Sequence, residues 1–101
     1  MLVTKPGEII EFKDLAWEEH WRQKGGKIAQ VMFPNGWGIS VIGGGILQYG
    51  DGKTTFEAAI LVKDEGKESW SIYDGDVRGW LPLEELEELI KELQERPAET
   101  K

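Results

Sequence analysis

Hydrophobic positions recur with two different periods along this chain. From Leu83 to Arg96 they fall at i, i+3, i+4 and i+7, as Leu86, Leu89, Ile90 and Leu93, which is one stripe of an amphipathic helix. Pro82 suits the first helical turn, where its missing N–H costs nothing, and Pro97 stops the helix. Glu84, Glu85, Glu87 and Glu88 sit near the positive end of the helix dipole, Lys91 and Arg96 near the negative end.

Upstream the period is that of strands. Lys27 to Phe33 and Gly38 to Ile42 are apolar runs around Pro34-Asn35-Gly36-Trp37, and Asn-Gly between two such runs signals a hairpin, because both residues tolerate positive φ. Gly43-Gly44-Gly45 then interrupts the chain, and Ile46 to Tyr49 reads as a short strand or an ordered loop. Thr55 to Lys63 alternates, with Phe56, Ala58, Ile60 and Val62 on one side; Ala59 and Leu61 on the other suggest a central strand. After a turn at Asp64 to Lys67, Glu68 to Tyr73 returns with Trp70 and Ile72 inward. Residues 14–24 read as a short helix capped by Asp14, with Trp17 and Trp21 paired on one face near Leu15, or else as an irregular arm on the sheet.

The expected fold is therefore α+β. An antiparallel sheet of four to five strands in meander order carries a short N-terminal helix or arm and the C-terminal amphipathic helix packed on it. Residues 1–27 form an N-terminal extension with the short helix, 28–96 a single α+β domain and 97–101 a tail.

Composition narrows the function. A chain of 101 residues with 40% hydrophobic content fits one domain with one core. The absence of cysteine excludes disulfides and thiolate metal sites, and an intracellular setting is the plain reading. Met1 to Gly7 lacks the apolar core of a signal peptide, and no run reaches membrane-spanning length. The net charge of −7, much of it on the helix and tail, disfavours nonspecific binding to phosphate backbones. Abundant Glu and Lys with a single Asn fit a thermophilic source.

Catalytic chemistry is sparse. His20 is the one histidine, no cysteine can serve as nucleophile, and Ser40, Ser69 and Ser71 lie outside any nucleophile-elbow pattern. Gly50-Asp51-Gly52-Lys53-Thr54 has the letters of a phosphate loop, but Leu47 stands where its first glycine is required. Asp74 to Glu85 matches a calcium loop at four positions, yet Arg78 occupies a ligand position, and a tight turn reversing the chain before the helix accounts for the same residues. No cofactor or metal is expected. The remaining signal is aromatic: Trp37, Tyr49, Trp70, Tyr73 and Trp80 lie near strand ends and loops, where rings can line a cleft or stack on a planar ligand. Trp37, between two glycines on a hairpin tip, is the leading candidate, and Arg78 can bind an anion or pair with Asp74 or Asp76.

The series Asn35-Gly36-Trp37-Gly38-Ile39-Ser40-Val41, Tyr49-Gly50, Phe56-Glu57-Ala58-Ala59-Ile60-Leu61, Tyr73-Asp74 and Gly79-Trp80-Leu81 before an acidic helix resembles a family of small phage-encoded proteins. The match spans about residues 30–94; the chain departs from it in residues 1–27 and in Pro82, where Thr or Ser is commoner. The resemblance implies a non-enzymatic accessory binding protein acting in the host cytoplasm against a host or defence function. Two mechanisms compete. One sequesters a small nucleotide signal, with Tyr49 and the other rings stacking on the base, Gly43, Gly44, Gly45 and Arg78 near phosphate, and a homo-oligomer supplying the interface. The other inhibits a host protein, with Trp37 and neighbouring rings as anchors inside an acidic rim. A DNA mimic, a virion structural protein and a small enzyme are the alternatives.

Overall fold

The computed structural model describes residues 2–19, 26–43, 55–64, 66–67 and 69–97. Helix α1 runs Leu83–Glu95 and buries the four residues of the expected stripe, Leu86, Leu89, Ile90 and Leu93. Pro82 sits one position earlier than its helix-forming φ suggested: it is the N-cap, with extended backbone at φ −62 and ψ 154. No side chain caps this end, so the carboxylates of Glu84 and Glu85 in the first turn supply the compensating negative charge.

The helix lies on a sheet of β1 (Leu2–Val3), β2 (Glu18–Glu19), β3 (Lys27–Met32), β4 (Trp37–Gly43), β5 (Thr55–Lys63) and β6 (Trp70–Pro82). The order is β1-β3-β4-β5-β6, and β2 also pairs with β3. Strands β3 to β6 are the expected antiparallel meander. Directly opposed residues share a face, so the register sorts the side chains. Val31↔Ile39↔Ile60 and Ala29↔Val41↔Ala58 stand in rows on the helix side, buried with Phe56, Leu81 and the helix stripe. Each large aliphatic side chain fully buried there stabilises the fold by about 2 kcal/mol.

On the opposite face Met32 and Leu61 flank Gly38. A Cβ at Gly38 would lie 2.7 Å from the Val31 carbonyl oxygen and 3.1 Å from Met32 Sδ, so the close approach of these strands requires glycine. The β3–β4 turn also differs from the expected Asn-Gly form. Gly36 has φ +87, whereas Asn35 keeps negative φ and uses its side chain elsewhere. The loop is Pro34-Asn35-Gly36, closed by Phe33 N–H donating to Trp37 O at 2.8 Å.

The N-terminal segment belongs to the core. Strand β1 runs parallel to β3, with Thr4 N–H donating to Met32 O, and Ile10 and Leu15 are buried against the helix and sheet. The helix expected over 14–24 is absent from its described part, which has a single 3-10 turn at Phe12–Asp14 followed by extended chain and β2. Extended backbone also puts Leu15 and Trp17 on one side, and Trp17 packs on Phe12 and Phe56 with centroids 6.0 Å away in each case. An arm on the sheet is the form adopted; Trp21 and His20 lie outside the described residues.

Strand β6 brings the largest departure. The turn expected at 74–79 does not reverse the chain: Trp70–Pro82 is one strand pairing with β5 along its length. Ala59 and Leu61 are two positions apart, but their partners Val77 and Ile72 are five apart. The surplus is absorbed by Tyr73 to Asp76, where Asp74 (φ 48) and Gly75 (φ 68) are left-handed. A second bulge follows, since Phe56 and Ala58 face Leu81 and Arg78. The 64–69 turn sets Lys63↔Trp70 and Leu61↔Ile72, on the face away from α1, so Trp70 and Ile72 do not point inward as their alternation suggested.

Candidate interaction surface

Trp37, the leading candidate from sequence, is built into the scaffold. The residue is 4% exposed, its Nε1–H donates to Pro97 O at 3.0 Å, and Tyr73 meets the ring edge-on with centroids 4.8 Å apart. The Arg96 guanidinium lies over the ring at 4.5 Å. Asn35 completes this latch: its amide donates to Leu93 O at 2.7 Å and Arg96 O at 3.1 Å, while its carbonyl accepts from Trp37 N–H at 3.0 Å. The carbonyls that a helix C-terminus leaves open are thus satisfied by the hairpin tip. Asn35-Gly36-Trp37 holds α1 on the sheet, and buried Trp37 presents no free ring face as an anchor would, while Tyr73 is half-buried against it.

Among the described residues the other candidates do not converge on one cleft. Trp70 is half-buried opposite Lys63, whereas Trp80 precedes Leu81 opposite Phe56. Seven positions of β5 separate those rows, which at about 3.4 Å per residue places the two rings' strand positions roughly 20 Å apart. Arg78 Nε and Nη2 donate to Asp76 at 3.2 and 3.3 Å, which raises the guanidinium pKa and satisfies much of its charge. Gly43 ends β4, two strands from β6. Gly44, Gly45, Tyr49 and the Gly50–Thr54 segment lie outside the described residues.

Trp80 is different. The residue is 61% exposed and its backbone is left-handed, φ 54. For a bulky residue that conformation costs on the order of 1–2 kcal/mol. A bulge needed only to bend the strand would place glycine at this position, and Gly79 stands one residue earlier. On the same strand Ile72 is 48% exposed and Val77 46% exposed. In sequence Val77 is hidden inside the calcium-loop match, and the alternation of Glu68 to Tyr73 puts Ile72 in the core. The overlooked signal was the surplus of β6 residues over β5 residues, visible only once the pairing is known.

The described residues hold little reactive chemistry. Ser40 is buried on the sheet and receives a 3.5 Å contact from Gln30 Nε2. Ser69 and Ser71 both donate to the Asp64 carboxylate at 2.7 Å, which holds its pKa below the ordinary value. Among the described residues no three acidic or histidine side chains form a metal-holding group. Asp74 to Glu85 runs through β6 into α1 and so does not form the loop an EF-hand requires. What this surface can do is bury apolar area against a partner. No protein-family model, curated protein or solved structure matches the chain.

Proposed function

We propose that this chain is a non-catalytic binding protein that engages a protein partner through β6, with Trp80 as the anchor. Trp80 carries the proposal: a large ring held in water by strained backbone is stable only if the surrounding fold enforces it, and strain of this kind clusters at functional positions. Ile72 and Val77 add exposed apolar surface on the same strand, and Trp is enriched among the residues that dominate binding energy. Among the described residues β6 is also the edge strand beside β5. Edges that proteins do not use are commonly blunted by charge or proline, whereas the run Trp70 to Tyr73 has neither.

The resemblance to small phage-encoded proteins makes the partner a host or defence protein and the effect inhibitory. Nucleotide sequestration is the weaker reading, because Arg78 is engaged by Asp76 and the described rings Trp70 and Trp80 stand far apart on β6. The test is capture from host extract by immobilised wild-type protein and by Trp80→Ala, each with its fold verified by circular dichroism. A retained partner lost with Trp80→Ala supports the reading. Equal capture by both, or a thermal shift with nucleotides and no captured protein, contradicts it.

A further inference from the structure

A second surface lies away from β6, where the N-terminal arm crosses α1. There the Gln94 side chain clamps the arm to the helix: Ile10 N–H donates to Gln94 Oε1 at 2.8 Å, and Gln94 Nε2 donates back to Ile10 O at 3.0 Å. That two-point clamp turns Ile10 into the core and leaves its neighbour Ile9 70% exposed. Ile9 and Phe12 line an open groove of about 790 Å³ between residues 9–13 and the helix. Its opposite wall carries Glu84, Glu87, Glu88 and Glu95. Among the described residues its only cations are Lys13 and Lys91, and Lys13 already pairs with Glu11 at 3.4 Å. Glu84 and Glu88 stand at i and i+4, a like-charge spacing that weakens an isolated helix.

We infer that this groove docks a Lys/Arg-rich segment of a partner protein. Charge complementarity selects that occupant: the helix wall is anionic, and exposed Ile9 with half-buried Phe12 on the facing side can receive the aliphatic stems of basic side chains while their heads reach the carboxylates. A nucleic acid or an acidic peptide would meet repulsion from the same wall. This site is independent of the β6 surface, and its failure would leave that reading untouched.

The experiment titrates the full chain into a fluorescein-labelled peptide of alternating Lys and Leu, read by anisotropy, with a Glu and Leu peptide as control. Saturable binding of the basic peptide is expected. The pair Glu87→Gln with Glu88→Gln weakens it about fivefold by removing two exposed charge contacts, and Ile9→Ser weakens it about tenfold by removing apolar contact. Both changes are at exposed positions, and circular dichroism confirms that the fold is kept. Glu85→Gln, exposed but outside the groove, leaves affinity unchanged. No binding of the basic peptide overturns the inference. So does a loss with Glu85→Gln equal to that of the pair, or affinity indifferent to Ile9→Ser, since either marks general charge attraction.

Discussion

Asn35→Ala removes the hairpin's hold on the helix. In the native fold the Asn35 amide donates to Leu93 O at 2.7 Å and Arg96 O at 3.1 Å, with a longer contact of 3.4 Å to Gln94 O. Its carbonyl accepts from Trp37 N–H at 3.0 Å. Three good hydrogen bonds at a net of about 1 kcal/mol each give a loss of roughly 3 kcal/mol, reduced toward 2 where water reaches the freed carbonyls. In a domain of this size that lowers the melting temperature by about 10–20 °C. Asn35→Asp sharpens the test, because it is nearly the same shape and keeps the acceptor for Trp37 N–H. It also sets a carboxylate against the helix's terminal carbonyls, at the negative end of the dipole. At neutral pH Asp should therefore be at least as damaging as Ala. Those carbonyls raise the folded-state pKa of the new carboxyl, so its penalty grows as pH rises through the unfolded and then the folded pKa, and acid relieves it. Urea unfolding followed by tryptophan fluorescence at two pH values measures all of this. An Asn35→Ala loss below about 0.5 kcal/mol, or an aspartate clearly milder than alanine at neutral pH, would refute the latch.

Other outcomes follow from the same contacts. Trp80→Gly releases left-handed strain of about 1–2 kcal/mol and forfeits about 0.5–1 kcal/mol to glycine's freedom in the unfolded chain, so its urea midpoint should equal or exceed wild type. Trp37→Ala, which empties a buried site, should lose about 3–5 kcal/mol in the same assay. Gly38→Ala drives a Cβ toward the Val31 carbonyl oxygen 2.7 Å away and should cost about 1–3 kcal/mol by overpacking; a neutral result would mean that β3 and β4 are not so close. The Asp64 carboxylate, accepting from Ser69 and Ser71, has a depressed pKa. Its contribution is complete above the unfolded aspartate pKa and is lost as pH falls through the lower folded value. An NMR titration should place the Asp64 midpoint below the ordinary range, and Ser69→Ala with Ser71→Ala should return it there.

Much of the fold was legible because it rests on local periodicity. Leu86, Leu89, Ile90 and Leu93 form a stripe whatever they pack against, and Phe56 to Val62 alternates on one face of β5. Where pairing decides the outcome, local signals misled. Trp17 and Trp21 have the spacing of a helical stripe and Leu15 and Trp17 that of one side of an extended chain, so a few residues could not choose between the two. Asp74-Gly75 has turn chemistry and takes left-handed φ, yet hydrogen bonding to β5 on both sides keeps the chain running forward. Trp37 between glycines looked exposed because its cover, the Pro97 carbonyl, lies 60 residues further along the chain. The candidate site moved for the same reason. Trp80 is one of the rings near strand ends in the sequence, but neither its strained backbone nor the exposure of Ile72 and Val77 can be read without the register of β6.

Photo-crosslinking tests the central claim most directly. A benzophenone side chain is placed singly at positions 72, 77 and 80, and at the exposed controls Lys5 and Glu85, then irradiated in host extract. The account predicts one shared partner band from the three β6 positions, strongest at 80, and none from the controls. Crosslinks of equal strength from Lys5 or Glu85, or silence at position 80 while another surface reacts, would contradict it.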